Sequence, residues 1–442
     1  MKIGFIPIDN RPVCYTLPKQ IAETDESLEL YLPNRDWLGG LTKYADVEKI
    51  LEWLKSLPEL DALIVSLDTV AYGGLISSRR SADTFEMVKS RILKLKEILS
   101  EKNAQIFAFS SIMRISDNNI NEEEKEYWSK WGKKIFNYSY CMDKYGSMCK
   151  KEIPDEILQD YLDTRKRNFE INKIYLEWQK QGFFNTLVFS KDDCAQYGLN
   201  VQEAKTLEKL GGFVKTGADE IPLSLLARAV NGVVNIAPVF LEPDSKNLIS
   251  NYEDVSIEKS VLSQIELAGC NAVESSKADI ILYVNNFVDK QGEIVMGVNT
   301  EAFHGVWYKP DRPYMIADVR YANGSDNSFV EELFKTDLDT NFFGYSAWNT
   351  SANSLGSLIC AAKIRFLANR YNDKAFKKLQ LVRFLDDWAY QANVRQTKPD
   401  LLSVKENMIK FEKKLFDKLS LSYDLNYKFP WNRLFEVEIE FN

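Results

Sequence analysis

The stretch Ala62-Leu63-Ile64-Val65-Ser66-Leu67-Asp68-Thr69 is a short apolar run that ends in polar residues. Because its apolar residues are consecutive and do not alternate with polar ones, it predicts a β-strand buried on both faces. Comparable runs recur along the chain, at 3–8, 106–110, 186–189, 213–214, 233–239, 280–284, 314–317 and 342–345. Helical patterns lie between most of these runs. The alternation predicts a parallel sheet that is covered by helices.

This pattern predicts an α/β fold. We expect a TIM-barrel-like (β/α) core over residues 1–370, with doubly wound parallel sheets in two lobes as the alternative. The chain of 442 residues is long enough for either arrangement. From about Asp373 to Leu421 the sequence is charged and helical in pattern, so we expect residues 371–442 to form a mainly helical C-terminal extension.

The composition excludes several classes of partner. The chain has 56 Lys and Arg against 64 Asp and Glu, a net charge of −8. This balance argues against a nucleic-acid binder and against a surface for anionic lipids. No apolar stretch approaches the roughly 20 residues of a transmembrane helix, and the N-terminal apolar run breaks at Pro7 and Asp9, unlike a signal peptide. With six scattered cysteines, expected to be reduced and buried, the sequence predicts a cytoplasmic protein.

His304 is the only histidine in the sequence. Histidine is the usual general base near neutral pH and the commonest metal ligand, so catalysis would depend on carboxylates supported by Arg, Tyr and Asn. His304 itself is expected to be structural. The sequence has no G-x-G-x-x-G motif or P-loop, and we predict no cofactor and no metal. A divalent ion on Asp9, Asp68, Asp318 and Asp326 is the alternative, with Mg²⁺, Mn²⁺ or Ca²⁺ preferred over zinc.

Polar residues follow most of the predicted strands. In parallel α/β folds the functional side chains gather at the carboxyl ends of the strands, so we expect these residues to line one polar pocket. A helix N-cap is the alternative role for any single acidic residue among them. The predicted substrate-binding residues are Asp9, Asn10, Arg11, Asp68, Tyr72, Arg114, Tyr197, Asp318, Asn323, Asp326, Trp348, Asn349 and Asn353.

Six groups of motifs carry a family resemblance. They are Pro7-Ile8-Asp9-Asn10-Arg11-Pro12-Val13, residues 66–75 with Ser78-Arg79, Asp192-Asp193 with residues 197–200 and Glu203, residues 217–220 with 225–228, Ala317-Asp318 with 322–326, and Gly344-Tyr345 with 348–350 and Asn353. Together they resemble the bacterial "domain of unknown function 4127" family. The resemblance runs from near Met1 to about residue 370. It implies that these segments form one site, and it implies no particular activity.

Asp192 and Asp193 are the first catalytic candidates. Like charges that lie close together raise the pKa of one carboxyl group, so one member can be an acid while its neighbour is a carboxylate. The order strand-Asp-Asp is similar to that of retaining glycosidases that use the acetamido group of the substrate as nucleophile. A helix cap beside a solvated acid is the alternative. Asp219 and Glu220 are the reserve pair, and Asp219 with Pro222 also has the pattern of a helix start.

Two charged segments have structural interpretations. The run from Asn121 to Glu126 is expected to form the acidic first turns of a helix. The helix around Arg165 to Lys180 is expected to present a solvated face, and a contact in a homo-oligomer is the alternative.

The sequence as a whole favours a carboxylate-dependent glycoside hydrolase. The expected partner is a small-molecule carbohydrate, with an N-acetylhexosaminide as the suggested substrate. Two alternatives stay open: a Mg²⁺- or Mn²⁺-dependent hydrolase or phosphoryl-handling enzyme, and a non-catalytic sugar-binding protein.

Overall fold

A computed structural model describes residues 1–146, 152–192 and 194–442 of the chain. Asp193, one of the predicted catalytic residues, lies outside the described residues. The chain divides into two compact units, which interleave along the sequence. Unit 1 contains Met1–Tyr15, Glu29–Pro222 and Tyr252–Asp254, and unit 2 contains Thr16–Leu28, Leu223–Asn251 and Val255–Asn442.

The centre of unit 1 is a six-stranded sheet whose neighbouring strands are all parallel. Its strands are β1 (Lys2–Ile6), β2 (Glu29–Tyr31), β3 (Ala62–Ser66), β4 (Gln105–Ile112), β5 (Thr186–Lys191) and β6 (Phe213–Thr216). Their order is β2-β1-β3-β4-β5-β6. The second strand, β2, therefore lies on one side of β1, and the four later strands lie on the other side. This is a doubly wound order. All five residues of β3 are buried, as expected for a strand covered on both faces.

Helices follow most strands of this sheet. They are α2 (Val47–Ser56), α3 (Leu67–Tyr72), α4 (Leu75–Arg80), α5 (Phe85–Ser100), α6 (Trp128–Tyr145), α7 (Asp155–Lys180) and α8 (Leu199–Lys209). Side chains of β3, β4 and β5 pack with Ile50 of α2, Val88 of α5 and Tyr175 of α7 in one apolar cluster. The short helix α3 begins directly after β3, because the Ser66 side chain caps it by accepting from the N–H of Thr69.

Unit 2 contains a second parallel sheet of five strands. In chain order these are β7 (Asn235–Phe240), β8 (Asn271–Ala272), β9 (Ile280–Asn285), β11 (Tyr314–Asp318) and β13 (Phe342–Ser346). They lie in the order β8-β7-β9-β11-β13. The second strand, β8, therefore lies on one side of β7, and the three later strands lie on the other side. Two small pairs complete the strands of this unit: β10 (Gly292–Glu293) with β12 (Tyr321–Ala322), and β14 (Leu425–Lys428) with β15 (Glu438–Phe441).

The helices of unit 2 come from both ends of the sequence. They are α1 (Thr16–Ala22), α9 (Ile221–Ala229, whose first two residues are counted in unit 1), α10 (Ile257–Leu267), α11 (Asn327–Leu333), α12 (Ser351–Leu367), α13 (Asp373–Arg383) and α14 (Leu401–Leu419). A π-helical stretch, Phe384–Gln391, continues directly from α13. Residues 371–442 thus supply α13, the π-helical stretch, α14 and the β14–β15 hairpin.

The α/β class with parallel sheets is confirmed, whereas the expected barrel is not found. The sheets in the described part of the chain are open, with β2 and β6 at the edges of one and β8 and β13 at the edges of the other. A closed barrel has no such edges. Alternation of strands and helices is common to barrels and to open doubly wound sheets, so it did not distinguish them.

No helix within the described ranges is both long enough and apolar enough to cross a membrane. Cys14, Cys194, Cys270 and Cys360 are buried thiols that form no disulfide, as expected. Cys141 is disulfide-bonded, which corrects the expectation of reduced thiols at that position.

The central strand β3 provides a test of this core. Ile64 is completely buried, and truncating it to Ala leaves a cavity that should lower the free energy of unfolding by roughly 2–5 kcal/mol. Ile120 of the same unit is 63% exposed, so Ile120→Ala should change it by less than about 0.5 kcal/mol. Urea unfolding followed by circular dichroism measures both values, and equal effects would contradict the placement of Ile64.

Candidate functional site

Five carboxylates and three arginines form a group of ion pairs at the carboxyl edge of the unit 1 sheet. We call this group the acidic cluster; its members are Asp9, Arg11, Arg79, Arg114, Glu123, Glu124, Asp192 and Asp219. Asp9 and Arg11 follow β1, Arg114 follows β4, Asp192 directly follows β5, and Asp219 follows β6. Parallel strands bring all these ends to one edge, which is why residues distant in sequence meet here.

Arg11 binds two carboxylates of the cluster, Asp9 and Asp219. Its Nε donates to Asp9 Oδ2 at 2.9 Å, and its Nη1 and Nη2 donate to Asp219 Oδ2 and Oδ1 at 3.1 and 2.5 Å. The three side chains are at most 7% exposed. A planar guanidinium matches a carboxylate with two parallel bonds, so Asp219 is held in a fixed orientation.

Arg114 holds the other side of the cluster. Its Nη2 lies 2.7 Å from Glu123 Oε2, its Nε lies 3.4 Å from Glu124 Oε1, and its Nη1 lies 3.5 Å from Asp192 Oδ2. Arg79 Nη1 also donates to Glu124 Oε1, at 2.9 Å. Glu123 and Glu124 therefore have closer arginine contacts than Asp192, whose side chain is 21% exposed.

Burial raises the pKa of both central aspartates. For Asp192 the positive charge of Arg114 opposes this rise, and the negative charge of Asp219 adds to it. For Asp219 the guanidinium of Arg11 opposes the rise in pKa, and Asp9 adds to it. With five carboxylates facing three arginines, the cluster has an excess of negative charge that favours retention of a proton.

Glu220 and Asp68 are more deeply buried carboxyl groups of unit 1, each 1% exposed. Burial raises the pKa of Glu220 well above its ordinary value, and the charges of Asp219 and Glu253 add to this shift. Burial also raises the pKa of Asp68, to about 6. Asp68 accepts from the backbone N–H of Ser111 at 2.7 Å, so it ties the start of α3 to β4.

Three further predicted binding residues of unit 1 have other surroundings. Tyr72 is 2% exposed and belongs to the apolar core, with the Arg167 guanidinium 5.2 Å from its ring centre. Tyr197 packs its ring against Tyr140 of α6, with a centroid distance of 5.3 Å. Asn10 has backbone contacts, including its carbonyl, which accepts from Arg35 Nε at 2.8 Å.

Asp318 and Asp326 lie at the carboxyl edge of the unit 2 sheet. Asp318, the last residue of β11, is fully buried and accepts from Asn285 Nδ2, from the N–H of Asp326 and from Tyr345 Oη, each at 2.8 Å. Burial and the nearby charge of Asp326 raise the pKa of Asp318 to about 7. Asp326 caps α11 by accepting from the N–H of Ser328 at 3.0 Å, the structural alternative that the sequence left open.

The remaining predicted residues surround the turn between β13 and α12. Trp348 and Asn349 lie in this turn, and Asn353 lies in the first turn of α12. Asn323 follows β12 and donates its backbone N–H to the carbonyl of Asn349 at 2.8 Å. The structure therefore distributes the predicted substrate-binding residues over both units.

Sequence reasoning missed Arg79, Glu123 and Glu124 as members of the acidic cluster. The acidic run 121–126 was expected to start a helix, but this expectation is wrong, since α6 begins only at Trp128. The run forms the loop before α6, which lets Glu123 and Glu124 contact arginines that follow other strands. A useful signal was present: Arg114 lies two residues after β4, and a largely buried arginine requires an acidic partner.

A well-defined cleft of unit 1 lies elsewhere. It has a volume of about 620 Å³, and its lining consists of Ser81, Ala82, Asp83, Thr84, Phe85, Lys125, Asp160, Asp163, Thr164, Lys166, Arg167 and Glu170. None of the predicted site residues lines it. His304 is exposed in unit 2. Across the described ranges no group of three or more His, Cys, Asp or Glu residues is arranged to hold a metal ion.

The fold and the acidic cluster define the class of this protein. It is an α/β protein with two parallel sheets and a carboxylate-rich site at the carboxyl edge of the unit 1 sheet. A protein-family model described as "Protein of unknown function (DUF4127)" matches residues 3–403. The chain belongs to this family, and the resemblance in the sequence motifs is confirmed. No curated protein matches the chain.

The ion pairs of Arg11 can be tested by measuring the free energy of unfolding. Arg11→Met leaves Asp9 and Asp219 buried beside each other without their cation, so we expect the free energy of unfolding to fall by about 3–5 kcal/mol. Arg91→Met breaks a pair with Asp83 whose side chains are 27% and 22% exposed, and should cost at most about 1 kcal/mol. Urea unfolding at pH 7 compares the two variants, and equal losses would contradict the central role of Arg11.

Asp318 should make stability depend on pH. Its pKa is about 7 in the folded protein and about 3.9 in an unfolded chain. The folded protein therefore keeps a proton that the unfolded chain has released, and stability falls as the pH rises from about 4 to 7. Asp318→Asn should remove up to about 4 kcal/mol of this fall, at 1.36 kcal/mol per pKa unit.

The matched control for this prediction is Asp337→Asn, because the Asp337 side chain is 95% exposed in the same unit. Urea unfolding of both variants and of the wild type at several pH values between 4 and 8 gives the slopes. A slope for Asp318→Asn equal to that of the wild type would refute the assignment.

Proposed function

We propose that this protein is a carboxylate-dependent hydrolase that acts on a glycosidic bond in a small glycoside, with an N-acetylhexosaminide as the first candidate substrate. The observation that carries the proposal is the environment of the Asp192 carboxyl group. Its carboxyl group is 21% exposed, has its nearest described arginine nitrogen at 3.5 Å, and has a pKa raised by burial. A general acid needs this combination of access and a raised pKa.

The proposal assigns different roles to the two central aspartates. Asp192 is the more exposed of the two, so it is the one that can reach the leaving-group oxygen and donate a proton to it. Asp219 is held by two bonds from Arg11, which favour its ionised form, so it would act as the carboxylate that stabilises positive charge on the sugar or activates water. Two carboxyl groups with different protonation states are what glycosidic hydrolysis requires.

Arg114 would limit the rise in the pKa of Asp192 and would not itself transfer protons. Its guanidinium stays charged and opposes the rise in the pKa of Asp192, and its closer bond to Glu123 keeps it in place. Substrate hydroxyl groups would find acceptors among the carboxylates of the acidic cluster. Asp193 keeps its predicted role as the partner of Asp192 in an acid/base and orienting pair.

The test is hydrolysis of a panel of aryl glycosides that includes aryl N-acetylhexosaminides. For a panel member that the wild type hydrolyses, Asp192→Asn should lower kcat at least about 100-fold, since general acid catalysis contributes 10²–10⁴. Activity should also fall as the pH rises through the pKa of Asp192, because the acid must be protonated. The matched control is Asp117→Asn, whose side chain is exposed on the same unit and should leave kcat unchanged.

Three results would redirect the proposal. Full turnover by both Asp192→Asn and Asp219→Asn would exclude the acid–base pair. Loss of activity with EDTA and its recovery with Mg²⁺ or Mn²⁺ would favour a metal-dependent hydrolase or phosphoryl-handling enzyme. Binding of sugars without hydrolysis of any panel member would favour a non-catalytic sugar-binding protein.

A further inference from the structure

A cleft with a volume of about 380 Å³ lies in unit 2. Its walls come from the loop before β13, from β13 itself, from α12 and α13, and from the end of α14. Ligand pockets have volumes of roughly 300–1,000 Å³, so a small molecule has room here. None of the predicted catalytic or substrate-binding residues lines this cleft, so the roles assigned above leave it unexplained.

Gln380 supplies an unused hydrogen-bond donor to the cleft. The residue is 2% exposed and belongs to the lining. Its Oε1 accepts from the backbone N–H of Tyr345 at 3.0 Å, which fixes the orientation of the amide. Its Nε2 donates to no group in the part of the chain that the structure describes. A buried donor costs free energy until an acceptor reaches it, and the cleft has room for an acceptor.

Arg365 brings a positive charge to the cleft. Its Nη1 and Nη2 donate to the backbone carbonyls of Phe342 and Thr340, and none of the described carboxylates lies within ion-pair distance of its guanidinium. Burial lowers the pKa of Arg365, and the charges of Asp373 and Asp339 oppose this shift only in part. The guanidinium nevertheless stays charged at neutral pH, so it is a cation that lacks a close carboxylate.

Two lysines add to this positive charge. Lys418 Nζ donates to the carbonyl of Phe334 at 2.8 Å, and its nearest described carboxylate oxygen belongs to Asp337, at 3.9 Å. The Asp337 side chain is 95% exposed, so this pair is weak. Lys377 lies 2.9 Å from Asp373. Lys418 is therefore the second cation of the cleft without a strong ionic partner.

The charges that line the cleft favour an anion. Three cations, Arg365, Lys377 and Lys418, face two carboxylates, Asp339 and Asp373. Both carboxylates are already paired at 2.9 Å, Asp373 with Lys377 and Asp339 with a lysine outside the lining. The neighbouring charges outside the lining are those of Lys309, Lys414 and Asp337. They leave the balance positive, so a ligand with one negative charge is complementary to this cleft.

Apolar side chains complete the lining. They are Leu338, Phe342, Phe376 and Leu419. The Arg365 guanidinium lies 4.0 Å from the ring centre of Phe376, so the charged and apolar parts of the lining adjoin each other. A planar carboxylate matches a guanidinium, and an apolar group attached to it would be covered by the leucine and phenylalanine side chains.

We infer that this cleft of unit 2 binds a small monocarboxylate that carries an apolar group, through Arg365, Lys418 and Gln380. The inference does not rest on the proposed hydrolase activity, because none of the residues assigned to hydrolysis lines the cleft. An inorganic anion and water are the other occupants, and the choice of probes separates them.

The experiment is calorimetric titration of the full-length protein at pH 7 with benzoate, hexanoate and benzamide, the uncharged analogue of benzoate. At least one carboxylate should bind, and benzamide should bind roughly tenfold or more weakly than benzoate. Lys418→Met should weaken carboxylate binding roughly tenfold, the effect of one hydrogen bond to a charged group. Gln380→Glu keeps the acceptor for Tyr345 but replaces the donor by a negative charge, so it should weaken binding by more than this.

The matched control is Lys405→Met. Lys405 belongs to the same helix, α14, and lies 4.0 Å from Asp424 Oδ1, but it is not part of the lining. This variant should bind the carboxylate as the wild type does. Circular dichroism checks that each variant is folded. If Gln380→Glu does not fold, the comparison of Lys418→Met with Lys405→Met decides the question alone.

Four outcomes would overturn the inference. Neither carboxylate binds to the wild type, benzamide binds as tightly as benzoate, or Lys418→Met binds as tightly as Lys405→Met. The fourth is that inorganic phosphate, titrated in the same way, binds more tightly than both carboxylates, which would show that the apolar lining does not select the ligand.

Discussion

The acidic cluster of unit 1 depends on one buried ion pair, that of Arg11 with Asp219. The two residues are 208 positions apart in the sequence. They follow β1 and β6, which are four strand intervals apart in the sheet, or about 19 Å at 4.8 Å per interval. The pair therefore joins two loops across the carboxyl edge and fixes Asp219 within reach of the charge of Asp192. Because each partner is buried, neither can be removed without leaving an uncompensated charge.

The interior strands of both sheets and the edge strands β6 and β13 could be predicted from the sequence, whereas the edge strands β2 and β8 could not. The apolar run at 62–67 corresponds closely to β3, and the run at 106–110 lies within β4, because complete burial requires uninterrupted apolar residues. The edge strands β2 and β8 have three and two residues that are mostly polar or partly exposed, so they leave no such signal. These edges distinguish an open sheet from a barrel. This explains why the predicted α/β class was correct and the predicted closed barrel was not.

The residues of the candidate site could be predicted better than their partners. Asp192 and Asp219 were identified by their position after apolar runs, which follows from the geometry of parallel strands. Their surroundings depend on contacts distant in sequence: Asp219 binds Arg11, whereas Asp326, with the same local pattern, caps a helix. Local sequence cannot separate these roles, because the same carboxylate satisfies a backbone N–H or a guanidinium equally well.

The interleaving of the two units has a consequence for biosynthesis. Leu17 and Ile21 of α1 are buried against elements of unit 2, and Asp25 accepts from the N–H of Asn369, which is 344 residues later in the chain. At about 5–20 residues per second, a ribosome needs roughly 20–70 s to supply these partners. During that time the segment 16–28 is tethered between β1 and β2 while the apolar face of α1 lacks its native contacts. This early segment therefore reaches its native surroundings only after α12 and α13 have been made, so it is among the last parts of unit 2 to be completed.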